Sequence, residues 1–195
     1  MSLLMGANGI VAAAAKDVAE SLLLHPTLRC DAVRGIEVRV ESRARGVLML
    51  SFAVDGDIGS IVVPAAQPSR RTDFLWQHTC FEAFIGIDGA PSYHEINLSP
   101  STAWAIYGFR RYREIESTGE DAAALRIRST RNTRRLQVTA DVDLRRLSAS
   151  YVDARLRLGM SAVIEEQSGT LSYWALHHPA GAPDFHHAAA FTMRL

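Results

Sequence analysis

The sequence predicts a nearly all-β protein, a two-sheet antiparallel sandwich of the immunoglobulin-like or jelly-roll kind, and three observations carry that expectation. Apolar residues alternate with polar ones: Ile36, Val38 and Val40 with Glu37, Arg39 and Glu41, and Leu136, Val138, Ala140 and Val142 with Arg135, Gln137, Thr139 and Asp141. A period of two marks a strand with one buried face. The apolar runs are short, about ten in number, and turn chemistry separates them, as a sandwich requires. The 195 residues are 48% hydrophobic and 22% charged, enough to bury the core of one large β domain.

Taken in order, residues 1–23 are alanine-rich and read as an N-terminal extension, helical or disordered, before His25-Pro26 breaks any helix. The domain proper is expected over residues 24–195. Its strands are expected at Ile36–Glu41, at Val47–Val54 with Asp55-Gly56 as the stop, and at Ile61–Val63 before Pro64. Residues 64–77 form the longest irregular stretch, and long loops in compact domains are often functional. Further strands are expected near Trp104–Phe109, Leu125–Ser129, Leu136–Val142, Leu156–Ile164, Ser172–Leu176 and Phe191–Leu195, with a helical turn at Asp143–Leu147. Phe81, Ile85, Ile96, Val138 and Leu158 are the expected core.

The clearest local unit is a hairpin, Cys80–Ile87 and Tyr93–Ser99 around Asp88-Gly89-Ala90-Pro91. A turn centred on Gly89-Ala90 sets Glu82 opposite Asn97 and puts Glu95 diagonally beside Glu82. Phe81, Ala83 and Ile85 then enter the core, while Glu82, Glu95 and Asn97 share the other face. Trp76 and His78 stand in the loop that enters this strand. The ordinary alternative is that Glu82 and Glu95 are exposed or paired with arginines.

Charge and motifs exclude several classes. The 21 basic and 21 acidic side chains cancel, so the footprint of a nucleic-acid or anionic-membrane binder is missing. No run approaches the ~18 apolar residues of a membrane span. No basic residue precedes the apolar run Gly9–Ala15, so a secretory signal fits poorly and a cytoplasmic location is expected. Cys30 and Cys80 lack metal-ligand spacing and read as free thiols rather than a bridge. His177-His178 and His186-His187 invite a metal, but adjacent side chains on extended backbone point to opposite faces, so each pair offers one ligand at most. No metal or cofactor is therefore expected. A nucleophile elbow, a P-loop, a dinucleotide fingerprint and a zinc-protease motif are all missing, so no catalytic residue is assigned.

Four stretches carry a family resemblance: Leu75–Phe84, Tyr93–Ser101 with Trp104 and Tyr107, Tyr173–Leu176, and Pro183–His186. Over about residues 24–195 the chain resembles the DOMON-like domains related to the family 9 carbohydrate-binding modules, and the first and last stretches are most similar to a bacterial stand-alone branch. The resemblance implies a β-sandwich that binds sugars in some relatives and haem in others. It also implies that Trp76 and Trp174 clamp a sugar ring while Glu82 accepts hydrogen bonds from hydroxyls. The arginine that sugar-binding relatives place on the neighbouring strand has no counterpart; Glu95 stands there. The resulting expectation is a non-catalytic module for a small-molecule ligand, a saccharide first. Trp76, Glu82 and Trp174 would line one hollow, with His78, Glu95 and Asn97 at its edge. Haem or another cofactor, and an enzyme acting on sugars, stand as alternatives.

Overall fold

The computed structural model describes residues 17–119 and 125–195, and the chain there forms a β-sandwich. One sheet holds β1 (Asp17–Leu24), β2 (Val33–Ala44), β3 (Val47–Gly56), β9 (Arg135–Asp143) and β8 (Leu125–Arg131), in that spatial order. The other holds β7 (Glu114–Gly119), β6 (Trp104–Arg111), β5 (Tyr93–Leu98), β4 (Cys80–Ile87), β10 (Leu156–Glu165) and β11 (Leu171–Ala175). A two-residue β12 (Met193–Arg194) pairs with the start of β10. All the pairings between these strands are antiparallel. A single helical turn, α1 (Leu144–Leu147), follows β9 and is capped by the Asp143 carboxylate on the Arg145 N–H.

The alternating residues face one another across the interior. Ile36, Val38, Val40, Leu50 and Phe52 from the first sheet meet Phe81, Ala83, Ile85, Ile96 and Leu158 from the second in one apolar core. The Phe52 and Phe81 rings lie 5.1 Å apart at its centre. The five residues expected in the core, Phe81, Ile85, Ile96, Val138 and Leu158, are all fully buried. Cys30 and Cys80 are free.

The N-terminal expectation needs correction over residues 17–23; residues 1–16 lie outside the described residues. Asp17–Leu24 is neither helical nor disordered. It is the strand that joins the two sheets: Asp17–Leu22 pair with β2, and Leu23 and Leu24 pair with β11. Two partners satisfy its backbone groups, and that tertiary gain overrides the local composition. Strand β7 was not expected, because Glu114–Gly119 is a mostly exposed edge strand without apolar alternation. Ile61–Val63 contributes only an isolated bridge, Ile61 to Glu166.

A second, smaller cluster sits on the outer face of the second sheet. Phe84, Tyr93, Ala105, Tyr107 and Phe109 project outward and are covered by Ala190 and Phe191, with Leu75 and Phe185 at the margin. This covering leaves one part of the outer face open, and the candidate site lies there.

Candidate functional site

Strand register determines which side chains reach the opening. Phe81 pairs with Leu98 and Ala162 and faces the core, so Glu82, one residue on, faces outward opposite Asn97 and Ser161. Glu95 pairs with Phe84 and Tyr107, also outward. The expected diagonal relation of Glu82 and Glu95 is therefore the observed one, which sets their Cβ atoms about 7 Å apart. From β6 to β11 the outer face presents Tyr107, Glu95, Glu82, Val163 and Tyr173.

The opening is a cleft of about 340 Å³ lined by these five residues and by Trp76, Phe109, Arg113, Ile115, Pro183, Phe185 and His186. Trp76 sits in the short 3₁₀ turn Leu75–Gln77 with its ring edge-on to Tyr107, centroids 5.9 Å apart. Tyr107 donates to Asp73 Oδ1 at 2.5 Å, and Asp73 is also held by Arg71, so the 64–77 loop is tied to β6. On the other side the Phe185 ring lies 6.1 Å from Tyr173.

The floor is polar and buried. Glu82 is 3% exposed, Glu95 6% and Asn97 0%. Ser161 Oγ donates to Glu82 Oε2 at 3.1 Å, and Asn97 Nδ2 donates to Glu95 Oε1 at 2.7 Å. The Cys80 thiol approaches Asn97 Oδ1 at 3.6 Å. Burial first, then the neighbouring Glu95 carboxylate, pushes Glu82 up to about 8; burial likewise raises Glu95. Two carboxyls this close and this buried cannot both ionise cheaply near neutrality. Near neutrality the pair is therefore set to share one proton, offering one hydrogen-bond donor beside one carboxylate.

One end is closed by a hydrogen-bonded chain. Arg113, in the two-residue β6–β7 turn at φ 53°, donates through its backbone N–H to Tyr93 Oη at 3.2 Å and through Nη2 to Asp184 Oδ1 at 2.9 Å. Tyr93 Oη meets His186 Nδ1 at 2.9 Å, and His186 Nε2 stands 3.5 Å from Glu95 Oε2. Burial, reinforced by Arg113, pushes His186 down to about 4, so the ring is neutral despite the nearby carboxylate. In the tautomer in which Tyr93 donates to Nδ1, Nε2 carries the ring proton and faces Glu95.

Of the residues singled out by sequence, Trp76, Glu82 and Glu95 line this cleft together, and Asn97 lies just behind, holding Glu95. Trp174 does not reach it. Trp174 pairs with Ala162, which pairs with Phe81, so it faces the core, 5% exposed, with Nε1 donating to Ser172 Oγ at 3.0 Å. Strand alternation hands the outer position to Tyr173. His78 also stands apart, exposed, with Nδ1 2.8 Å from Glu165 Oε2. Tyr107, Arg113, Tyr173, Phe185 and His186 were not foreseen as site residues. The register of β11 could have exposed Tyr173, and Phe185 and His186 lie in the Pro183–His186 stretch that carries the resemblance; only Arg113, in the β6–β7 turn, carried no signal. Among the described residues no group of three or more His, Cys, Asp or Glu is placed to hold a metal ion.

No protein-family model and no curated protein matches the chain. Solved structures with a similar fold include a candidate carbohydrate-binding protein from Bacteroides uniformis, 15% identical, with a TM-score of 0.65 over 89% of this chain and 84% of that one. A family 9 carbohydrate-binding module from Caldicellulosiruptor kristjanssonii in complex with cellotriose aligns at a TM-score of 0.47 and 13% identity over 77% of this chain and 73% of its own. At 15% identity the likeness to the Bacteroides protein is one of fold, and the chain shares its β-sandwich.

Proposed function

We propose that the cleft binds a saccharide without transforming it. The observation that carries this reading is the pairing of aromatic walls with a buried floor of directional polar groups. A sugar ring offers a face of C–H groups and a rim of hydroxyls. Trp76 and Tyr107 on one side, and Tyr173 and Phe185 on the other, supply stacking surface. Protonated Glu82 donates to a hydroxyl oxygen, and ionised Glu95 accepts from a hydroxyl proton, a charge-assisted bond. The volume and the mostly apolar walls with few convergent polar groups are those of a small-molecule site. The second clamp is assigned to Tyr173 and Phe185 in place of the core-facing Trp174. The Bacteroides protein of the same fold points the same way by its description.

The test is a thermal-shift and glycan-array screen of the purified protein, repeated with Trp76→Ala and Tyr173→Ala. A sugar hit lost in both variants, with melting temperatures within a few degrees of wild type, is the expected result. No hit across neutral, acidic and amino sugars would overturn the reading. The carboxyl pair favours one second reading, a sugar-acting enzyme with Glu82 as the acid and Glu95 as the base, since such pairs stand roughly 5–10 Å apart. Release of nitrophenol from nitrophenyl glycosides, abolished by Glu82→Gln, would select it.

A further inference from the structure

The charge balance of the cleft floor narrows the ligand class. Glu82 and Glu95 are buried, yet the partners they hold are uncharged: the Ser161 hydroxyl, the Asn97 amide and neutral His186. Among the described residues no arginine or lysine forms an ion pair with either carboxyl. Arg113 is the nearest cation in the lining, but Asp184 answers its charge at the rim, and Tyr112 Oη takes its Nε at 3.3 Å. Its attraction is the last of the influences on both glutamates and does not offset their burial. The remaining titratable groups nearby do not supply a cation: Tyr93 and Tyr107 are phenols raised chiefly by burial, Asp73 is held by Arg71, and the Cys80 thiol is raised by burial. A buried acid pair without a counter-cation is costly unless a proton or a ligand supplies the positive charge. Around that pair stand the rings of Trp76, Tyr107, Phe109, Tyr173 and Phe185, whose negative faces favour a cation.

We infer that the ligand carries a cationic group, and that the saccharide is one with a free amino group, its ammonium seated over Glu82 and Glu95 within the aromatic walls. The inference rests on the saccharide reading above and deepens it. On binding, the ammonium takes the place of the proton held by the pair: Glu82 ionises, its O–H bond breaks, and the proton leaves to the buffer. No other bond changes.

The experiment is titration calorimetry at pH 7 with glucosamine, N-acetylglucosamine and glucose, each in two buffers of different ionisation enthalpy. Glucosamine is expected to bind at least tenfold more tightly than glucose, with release of close to one proton. N-acetylglucosamine, which keeps the ring but loses the charge, is expected to bind no better than glucose. Glu82→Gln, which keeps the shape of the neutral acid, should bring the glucosamine-to-glucose ratio towards one and abolish proton release; should it not fold, Glu95→Gln should lower the same ratio at least several-fold, since the ammonium then meets one carboxyl in place of two. Glucose or N-acetylglucosamine binding as tightly as glucosamine overturns this inference and leaves the saccharide reading standing, as does tighter glucosamine binding without proton release. Failure of all three sugars to bind overturns this inference, whereas the saccharide reading falls only if the wider glycan screen is also without a hit.

Discussion

The outer faces of the two sheets invite comparison, because the same chain and the same period of two produced opposite surfaces. On the first sheet the outward positions are solvated, and their charges meet in ordinary exposed pairs such as Arg39–Asp17, Arg128–Asp141 and Arg135–Asp55. Strand β9 reads as strict alternation, with every second residue buried. On the second sheet β4 is buried along nearly its whole length, on both faces. Its outward positions are covered by the 183–191 segment except where the cleft opens, and there the buried polar residues Glu82, Glu95, Asn97 and Ser161 gather. The difference teaches where to look for function. A charge on a solvated face costs little and says little, whereas a buried carboxyl beside another is kept against a substantial desolvation penalty.

Neighbouring residues of β11 separate the two faces most sharply. Trp174→Ala removes a core side chain and is expected to cost about 3–5 kcal/mol in urea unfolding, enough to threaten folding. Tyr173→Ala, one residue away on the open face, should cost much less and should remove ligand binding. Equal losses of stability would mean that the two faces are not distinct.

Next in size is the pH response of the floor. The folded-state value of Glu82 lies above its unfolded one, so the folded chain binds more protons between about pH 4.5 and 8, and its contribution to stability falls as pH rises through that window. Glu82→Gln cannot ionise and should exceed wild type by about 3 kcal/mol at pH 9, while matching it within about 1 kcal/mol at pH 5. His186 acts at the acid end: its folded value is depressed, so stability is intact above about 6.5 and declines as pH falls towards 4. Denaturant titrations at pH 5, 7 and 9 read both limbs, and a flat difference between Glu82→Gln and wild type would show that Glu82 is not the proton holder.

Asn97→Ala takes away the donor that holds Glu95 and leaves that carboxylate short of a buried partner. A loss of about 1–3 kcal/mol is expected, together with weaker binding, because Glu95 is then free to turn. The smallest effect belongs to the first sheet. Arg39→Ala breaks an exposed pair and should change stability by less than about 1 kcal/mol, read from the same unfolding curves. A larger value would mean that the solvated face carries structure of its own.

Much of this arrangement is local and was legible in the residues. The Gly89-Ala90 turn and the alternation of β4 were enough to set Glu82 opposite Asn97 and Glu95 on the diagonal, because hairpin register follows from turn position. The family resemblance, and not this local logic, puts Trp174 in the clamp; the alternation of β11, with Trp174 paired to the core-side Ala162, gives the open face to Tyr173. Trp76 was legible as a loop aromatic at a strand entrance, while His78, two residues on, turned outward to Glu165.

By itself, then, the sequence determined the fold class, the core positions of the alternating strands, and the carboxyl–amide face of the hairpin, all of which depend on side-chain period and short-range turns. Tertiary structure alone decided that Asp17–Leu24 would be the strand linking the sheets, because its hydrogen-bond partners are the distant β2 and β11. It likewise decided that Arg113, Phe185 and His186 would complete the cleft. Those residues come from a turn and a C-terminal segment separated by about 70 positions, and no local pattern records which loops will meet over a sheet; that depends on which apolar side chains, here Phe84, Phe109 and Phe191, find cover together.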